Sequence, residues 1–247
     1  MESAQTIRPE YASKVNDEDT LFGKISFRYF LVSSIKSAIL FTIFTKVYYA
    51  ADNFNIARGI SIPVHFPWEI KYIPFLAWTS IVYESPVFVI AAFPFMVRNK
   101  IAFNKYVLQY VSCIFLCGII FILIPTVQEY SPPIEYSSGW GVKKIAWLAD
   151  QANGSYNCFP SLHVINVILQ ARWGSINKSL TVRTLFWAWA AAVSVSTLTM
   201  HAHYVADIAG AIVMVLAVEW ISTKISKDSG GVFKKRRHAE RATTSRG

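Results

Sequence analysis

The chain has 247 residues, of which 53% are hydrophobic and only 16% charged, with a mean hydropathy of +0.35. Soluble domains carry about a quarter charged residues, so this composition excludes an ordinary soluble enzyme and indicates a polytopic helical membrane protein. The formal net charge of +9 does not indicate nucleic acid, because eight Lys and Arg residues lie in segment 223–247, directly after an apolar run. Such a tail is typical of a topology signal or of a contact with anionic lipid.

The predicted elements begin after a polar N-terminal segment, residues 1–28, in which no apolar stretch indicates a cleavable signal peptide. Six apolar stretches follow, each close to the ~20 residues that a bilayer requires, although the fourth is short. They predict an all-α fold with six transmembrane helices, at residues 29–49, 73–97, 106–125, 159–172, 184–200 and 204–222. The membrane domain therefore covers 29–222, and 223–247 is a basic tail.

The distribution of basic residues predicts the orientation of this membrane domain. If the N-terminus is cytoplasmic, eighteen Lys and Arg residues fall in the cytoplasmic segments. The opposite side then holds four, when two lysines within the first span are left out: Arg58, Lys71, Lys143 and Lys144. The excess of positive charge predicts that both termini are cytoplasmic and that the loops 50–72, 126–158 and 201–204 face the periplasm or lumen.

The stretch "NCFPSLHVINVIL", residues 157–169, has a proline, a serine and a histidine at the start of the fourth predicted span. Pro160 suits the first turn of a helix, where its missing N–H costs nothing. The free N–H groups and the positive dipole end of a helix start favour an anion, and Ser161 adds a hydroxyl donor. His163 would lie one turn into the helix. The stretch therefore predicts a phosphate-binding helix start with a titratable group beside it.

The stretch "STLTMHAHYVADIAGA", residues 196–211, supplies a second histidine and an acid. His203 and Asp207 are four residues apart, which sets both on one face if the sixth helix has begun by His203. A carboxylate that accepts the Nδ1–H of a histidine fixes its tautomer and prepares Nε2 as a nucleophile. The two stretches together predict phosphoryl transfer, in which His203 attacks phosphorus, Asp207 steadies it and His163 protonates the departing oxygen. This reaction needs no metal or other cofactor.

At these residues the sequence resembles the type 2 phosphatidic acid phosphatase superfamily, since "PSLH" is similar to its PSGH-type motif and "ST…HYVAD" to its SR-x5-H-x3-D motif. The closer resemblance is to the branch that contains fungal inositol phosphorylceramide synthase, where F-P-S-L-H and S-T-x5-H-Y-x3-D patterns are typical. It covers about residues 70–221 and implies a six-helix membrane core, a phosphohistidine at His203 and proton donation by His163. The positions that it assigns to substrate binding are Ser161, Ser196, Thr197 and Tyr204.

The sequence departs from the phosphatase pattern where cations would hold the phosphoryl oxygens. The K-x6-R-P motif corresponds to the region of "PTVQEYSPP", residues 125–133, where Ser131 replaces the arginine and Ile124, seven residues before it, replaces the lysine. The arginine of the second motif is replaced by Thr197, a change that the synthase branch shares. A phosphomonoester carries up to two charges and a phosphodiester one, so a weaker clamp favours diester chemistry. Lys143 and Lys144 in the third loop are candidate substitutes for the clamp.

These residues predict a membrane phosphotransferase that moves a phospho-head group from a phospholipid, through His203, to a lipid hydroxyl or to water. One alternative is a lipid phosphate phosphatase, for which water is the only acceptor. Another, which the missing cations keep open, is a non-catalytic scaffold or lipid transporter with the same fold. His201, His203 and Asp207 are also a possible metal site. The phosphoryl-transfer pattern explains Ser161 and the helix start, which a metal site does not. The expected partner is a membrane lipid, and the sequence indicates no oligomeric state.

Overall fold

The computed structural model describes residues 27–97, 99–152 and 156–244, so the predicted N-terminal segment 1–28 and the end of the tail, 245–247, lie almost wholly outside it. The described part is mostly helical, which confirms the predicted helical class. Its α-helices are α1 (Phe27–Arg58), α2 (Pro67–Tyr72), α3 (Ser80–Met96), α4 (Lys100–Leu123), α5 (Val142–Ala152), α6 (Leu162–Gly174), α7 (Leu180–Thr199) and α8 (Val205–Thr244). Short 3-10 turns precede α3 and α5, at Ala77–Thr79 and Ile134–Ser138.

Four helices in the described residues are long and apolar enough to cross a membrane: Phe27–Arg58, Ala77–Met96, Lys100–Leu123 and Val205–Ile225. They correspond to the first, second, third and sixth predicted spans. The fourth and fifth predicted spans are also helices, but α6 has only 13 residues and α7, with 20, is less apolar. The prediction of six transmembrane helices is therefore not confirmed.

The short helix α6 lies at the centre of the bundle, where it packs against α3, α4, α7 and α8. Ten of its 13 residues are buried. At 1.5 Å per residue a helix of this length spans about 20 Å, against about 30 Å for the hydrocarbon core. Because protein rather than lipid surrounds α6, it can also carry polar side chains: Tyr106 Oη on α4 donates to Asn166 Oδ1 over 2.9 Å. Central burial thus explains why the fourth apolar stretch is short.

Three loops are joined at one end of the bundle, which we call the site end. β1 (Ile62–Pro63) pairs in parallel with β2 (Thr126–Val127), and Thr126 bridges to Asn157. The backbone N–H of Leu76 donates to the carbonyl of Thr199, which ties the entry of α3 to the end of α7. The starts of α6 and α8 also lie here, because the Ser161 N–H donates to the Asp207 carbonyl over 3.2 Å. These backbone hydrogen bonds bring both sequence motifs together at the site end.

Candidate active site

The two ring nitrogens of His203 have different surroundings. Nδ1 lies 3.0 Å from the carbonyl oxygen of Cys158 and 3.3 Å from Oδ2 of Asp207. A carbonyl oxygen only accepts hydrogen bonds, so Nδ1 carries the proton and Nε2 keeps its lone pair. Among the described residues Nε2 has no hydrogen-bond partner, although the residue is only 6% exposed. The arrangement leaves an oriented imidazole whose Nε2 is unprotonated and unpaired within the described residues.

His203 lies two residues before α8 rather than on it, since the helix begins at Val205. The sequence argument required the helix to have begun by His203, and it has not. The side chains of His203 and Asp207 are nevertheless in contact. The carbonyl of Thr197 accepts the N–H groups of Ala202 and His203 over 3.1 and 3.2 Å, which holds the turn against the end of α7. Asp207 Oδ2 also accepts the Tyr204 N–H over 2.8 Å. An acid in the first turn that reaches back to the N-cap backbone is half of a capping box.

His163 lies in the first turn of α6, and its ring centroid is 6.0 Å from that of His203. Ser161 is the N-cap, because its Oγ accepts the Val164 N–H over 3.3 Å. Serine is favoured there since its hydroxyl accepts an otherwise unpaired N–H. Pro160 thus precedes the N-cap instead of occupying the first turn. No described group accepts the backbone N–H of Leu162 or of His163, so both are available to an anion.

The candidate site lies within the part of the chain that matches a known protein family. A family model, the PAP2 superfamily, matches residues 59–221 of the 247. The chain belongs to the PAP2 superfamily. No curated protein and no solved structure matched the chain.

Membership of the PAP2 superfamily indicates a phosphatase or phosphotransferase that acts on lipid-like substrates. Both motifs, from Phe159 to His163 and from Ser196 to Asp207, lie inside the matched region. The apolar helices agree with an integral membrane protein. The match thus accounts for the two stretches that carry the candidate site, and it leaves the branch and the substrate open.

Two motif residues of this PAP2 chain, Ser196 and Thr197, lie near the end of α7, and their hydroxyls bond backbone carbonyls of that helix. Ser196 Oγ donates to the carbonyl of Val193 over 2.7 Å, and Thr197 Oγ1 to that of Ser194 over 2.8 Å. Both side chains are buried. Both hydroxyl groups therefore donate their protons to carbonyls within α7. Thr197 contacts the site through its backbone carbonyl, which accepts the N–H of His203.

The third motif residue of this set, Tyr204, is buried and directly follows His203. Its hydroxyl accepts the backbone N–H of Glu129 over 3.1 Å, and its ring centroid lies 5.3 Å from that of His65. A phenol that accepts one hydrogen bond still has a proton to donate. Tyr204 therefore links the turn at His203 to two loops and keeps one donor.

Lys143 and Lys144, the candidate phosphate clamp, stand at the start of α5. Lys144 Nζ donates to the carbonyl of Ser137 over 2.5 Å and lies 4.7 Å from the ring centroid of Trp147. Lys143 Nζ lies 5.4 Å from the ring centroid of Tyr136. In the described residues both ammonium groups thus contact residues of α5 and of the 3-10 turn before it, and they do not contact the two histidines. The helix packs through its buried alanines, Ala146 and Ala149, in one apolar cluster with Tyr83, Met200 and Ala202.

The stretch that replaces the phosphatase cation motif, "PTVQEYSPP", binds the backbone that leads into α6. Thr126 Oγ1 accepts the N–H of Phe159 over 2.7 Å, and its carbonyl accepts that of Cys158 over 3.4 Å. Gln128 Nε2 donates to Asp150 Oδ1 over 2.9 Å, which ties the stretch to α5. It therefore fixes the backbone that leads into α6 and brings no cation to the site.

His201, the third member of the possible metal site, has a different partner from the other two. One of its ring nitrogens, Nε2, lies 2.8 Å from the carbonyl of Ile73. Its backbone is left-handed, with φ of 53°, which turns the chain between α7 and His203. The described residues contain no group of three or more His, Cys, Asp or Glu that could hold a metal ion.

Cys158 was not singled out in the sequence, yet its backbone carbonyl holds His203. Its thiol is buried, and burial raises the pKa of that thiol well above its ordinary value, with a further contribution from the charges of Asp207 and Asp52. A thiol with a raised pKa stays protonated and is a poor nucleophile. The buried thiol of Cys158 is therefore a weaker candidate nucleophile than the ring of His203.

Two further residues at the site had no signal in the sequence. Glu69 on α2 is buried, and its Oε1 accepts the Val205 N–H over 2.6 Å while its Oε2 accepts the Phe66 N–H over 2.5 Å. Tyr83 on α3 stacks against His163. Neither belongs to a motif, and each meets its partner only because distant elements pack together.

Proposed function

We propose that this protein moves the phospho-head group of a membrane phospholipid through a phosphohistidine at His203, as in the inositol phosphorylceramide synthase branch that its motifs resemble. The observation that carries the proposal is the asymmetry of the His203 ring. Its Nδ1 is held by Asp207 and by the carbonyl of Cys158, and its Nε2 is unpaired within the described residues. A histidine so oriented, with a second histidine 6.0 Å away, suits nucleophilic attack on phosphorus.

The reaction has two halves. In the first, Nε2 of His203 attacks phosphorus, the bond from phosphorus to the lipid oxygen breaks, and protonated His163 gives its Nε2 proton to that oxygen. In the second, an acceptor hydroxyl gives its proton back to His163 and attacks phosphorus, and the nitrogen–phosphorus bond breaks. Asp207 stabilises the positive ring of the phosphohistidine, whose Nδ1 keeps its proton throughout.

The phosphate would be held by neutral donors. The unpaired N–H groups of Leu162 and His163 and the hydroxyl of Ser161 lie together at the start of α6, where the helix dipole favours negative charge. Neither Lys143 nor Lys144 contacts the two histidines. In the described part of the chain no Lys or Arg side chain bonds either histidine, and such a site suits the single charge of a phosphodiester better than the double charge of a phosphomonoester. This argument supports head-group transfer.

A lipid phosphate phosphatase is the second candidate, since members of the PAP2 superfamily are generally phosphatases. It would use the same nucleophile and the same proton donor, with water as the only acceptor. The missing cations count against it, because a phosphomonoester needs the stronger clamp. A non-catalytic scaffold or lipid transporter is the third candidate, and it predicts no turnover of either substrate.

We further propose that the site opens on the periplasmic or lumenal face and that both termini are cytoplasmic. The support is the charge distribution, with eighteen basic residues on the proposed cytoplasmic side and four on the other. Exposed aromatic side chains at the site end, among them Trp68, Trp78 and Trp140, suit a membrane–water interface. The lipid substrate would then enter from the outer leaflet.

The proposal is tested by incubating the purified protein with labelled phosphatidylinositol and ceramide, and separately with phosphatidic acid. Transfer of the labelled head group to ceramide, with a trapped acid-labile phosphohistidine, is the expected result. Release of inorganic phosphate from phosphatidic acid alone would favour the phosphatase. Turnover of neither substrate would refute both enzymes.

Two matched variants connect the activity to the nucleophile. His203→Ala should abolish turnover and the phosphohistidine. His201→Asn is the control, because Asn tolerates a left-handed backbone and the ring of His201 faces the Ile73 carbonyl. If His203→Ala kept the activity of the protein, a phosphohistidine at this position would be ruled out.

A further inference from the structure

Tyr83 forms a close contact with His163, the proposed proton donor. The two rings are stacked, with centroids 4.4 Å apart and planes inclined by 26°. The phenol oxygen of Tyr83 lies 3.4 Å from Nδ1 of His163. Tyr83 is only 1% exposed and lies eighty positions before its partner, on α3. A tyrosine that covers one face of the imidazole and reaches one of its nitrogens restricts how that ring can turn.

Tyr83 contacts Nδ1 of His163, which leaves Nε2 as the nitrogen that can exchange protons with the substrate. His163 must give a proton to the departing oxygen in the first half and take one from the acceptor hydroxyl in the second. Between the halves the ring is neutral and holds one proton. The ring can act as a base at Nε2 only if the remaining proton stays on Nδ1, which requires an acceptor there.

We propose that Tyr83 is a positioning residue that accepts the Nδ1–H of His163 and thereby leaves Nε2 to exchange protons with the substrate. The proposal rests on the function proposed above for His163. The stack adds to the effect, because the face of a phenol ring is electron-rich and attracts the cationic ring that the first half requires. The proton balance is unchanged: Nε2 gives one proton and regains one, and Nδ1 keeps its own.

The competing explanation is that Tyr83 only fills space. It belongs to a small apolar group with Ala146, Ala149, Met200 and Ala202, so its ring does contribute to packing. Tyr83→Phe separates the two explanations, because it keeps the ring, its volume and its stack and removes only the oxygen near Nδ1. A space-filling role predicts little effect, whereas positioning predicts a specific loss.

A matched control is available on the neighbouring helix. Tyr106 is also fully buried, and its hydroxyl donates to Asn166 on α6, one turn from His163. Tyr106→Phe therefore removes a buried hydroxyl that bonds the same helix without touching the proposed proton donor. Any effect that is common to both variants reports the packing of α6.

The kinetic test compares two leaving groups. Phosphatidylinositol releases an alkoxide, which needs a proton, and the p-nitrophenyl ester of inositol phosphate releases a phenolate, which does not. For Tyr83→Phe we expect kcat with phosphatidylinositol to fall by about 10- to 100-fold, with KM within about 2-fold of wild type. Formation of the phosphohistidine from the nitrophenyl ester should stay near the wild-type rate. Equal losses with both esters, or no loss, would overturn the proposal, and Tyr106→Phe should show no difference between them.

A second measurement does not depend on turnover. Nitrogen-15 NMR of histidine-labelled protein in detergent distinguishes the two neutral tautomers, and His163→Gln assigns the signal. We expect the Nδ1–H form of His163 in the wild type and a mixture of tautomers in Tyr83→Phe. A wild-type His163 in the Nε2–H form would overturn the role of Tyr83 whatever the enzyme does. Absence of a phosphohistidine in the wild type would instead refute the proposed function and leave the tautomer to decide about Tyr83.

Discussion

The tautomer of His203 follows from two acceptors that approach it from different directions. Asp207 is four residues away in sequence, and the Cys158 carbonyl is forty-five away. The first contact can be expected from the spacing, because local turns bring such residues together. The second depends on the path of the chain into α6. Together they make the protonation of Nδ1 unambiguous, which a single carboxylate at 3.3 Å would not.

Asp207→Asn should reduce kcat by about 100- to 1,000-fold with the protein still folded. Oδ2 of Asp207 contacts both the Tyr204 N–H and Nδ1 of His203, so an amide oxygen at that position keeps both contacts while the negative charge is lost. Without that charge the positive ring of the phosphohistidine is less stable, so the phosphohistidine forms more slowly. The measurement is the rate of phosphohistidine formation.

Asp52→Asn is the matched control for this change, since Asp52 is also buried and accepts the Tyr156 N–H over 2.9 Å without contacting His203. It should lower thermal stability and keep the catalytic rate constant. Equal rate losses in the two variants would mean that Asp207 acts through stability alone.

At the scale of elements, the site is built from two helix starts and the end of a third helix. Ser161 caps α6, Asp207 closes the first turn of α8, and the carbonyl of Thr197 at the end of α7 holds the His203 backbone. Two of these contacts are local and belong to recognisable capping patterns. The contact of Glu69 with the Val205 N–H is long-range, over 136 positions, and no sequence pattern announces it.

Glu69→Gln tests whether that long-range contact supports the turn that carries His203. A glutamine side chain has one oxygen, so only one of the two backbone N–H groups, from Phe66 and Val205, keeps its acceptor. The other then faces an amide donor, which costs about 1–3 kcal/mol of folding free energy. We expect a lower midpoint of thermal unfolding and a kcat reduced by about 5- to 20-fold.

The control is Glu135→Gln, a change at an exposed glutamate of the loop that precedes α5. It removes the same charge from the same end of the bundle without removing a buried acceptor. If both variants lost activity equally, the electrostatic field of the loops and not the start of α8 would explain the effect of Glu69.

At the scale of the whole molecule, the helices alternate in direction along the bundle. α1, α4 and α7 end at the site end, and α3, α6 and α8 begin there, as the contacts between their termini require. Alternation of this kind agrees with a chain that passes repeatedly through a membrane. Four of the helices can span on their own, and α6 is enclosed by its neighbours.

The proposed orientation predicts which exposed positions a membrane-impermeant thiol reagent can reach. Trp140 is 92% exposed at the site end, and Leu180 is 76% exposed at the opposite end, at the start of α7. In intact cells or sealed vesicles of native orientation, Trp140→Cys should be labelled from the periplasmic or lumenal side. Leu180→Cys should be labelled only after the membrane is opened.

The native thiols give little background in this experiment because all three cysteines are free and buried: Cys113, Cys117 and Cys158. Labelling of Leu180→Cys from the periplasmic or lumenal side, with Trp140→Cys protected, would invert the proposed topology. It would also put the site on the cytoplasmic face.

The sequence by itself determined the helical membrane class, the two motifs and the local pairing of His203 with Asp207. It did so because the length of an apolar stretch, a helix cap and a four-residue spacing each depend on residues that are close together in the sequence. Its prediction of α6 as an independent span is not confirmed, because a bilayer and a surrounding bundle both favour apolar residues. Periodicity cannot distinguish lipid from protein as the environment of a helix.

Only the tertiary structure decided which residues support the site from a distance. Tyr83 meets His163, Glu69 meets Val205, and Thr126 meets Phe159 through packing of elements that are far apart in the chain. It also set Lys143 and Lys144 against their own segment. Such contacts arise from the summed burial of whole helices, so the local sequence around either partner carries no trace of them.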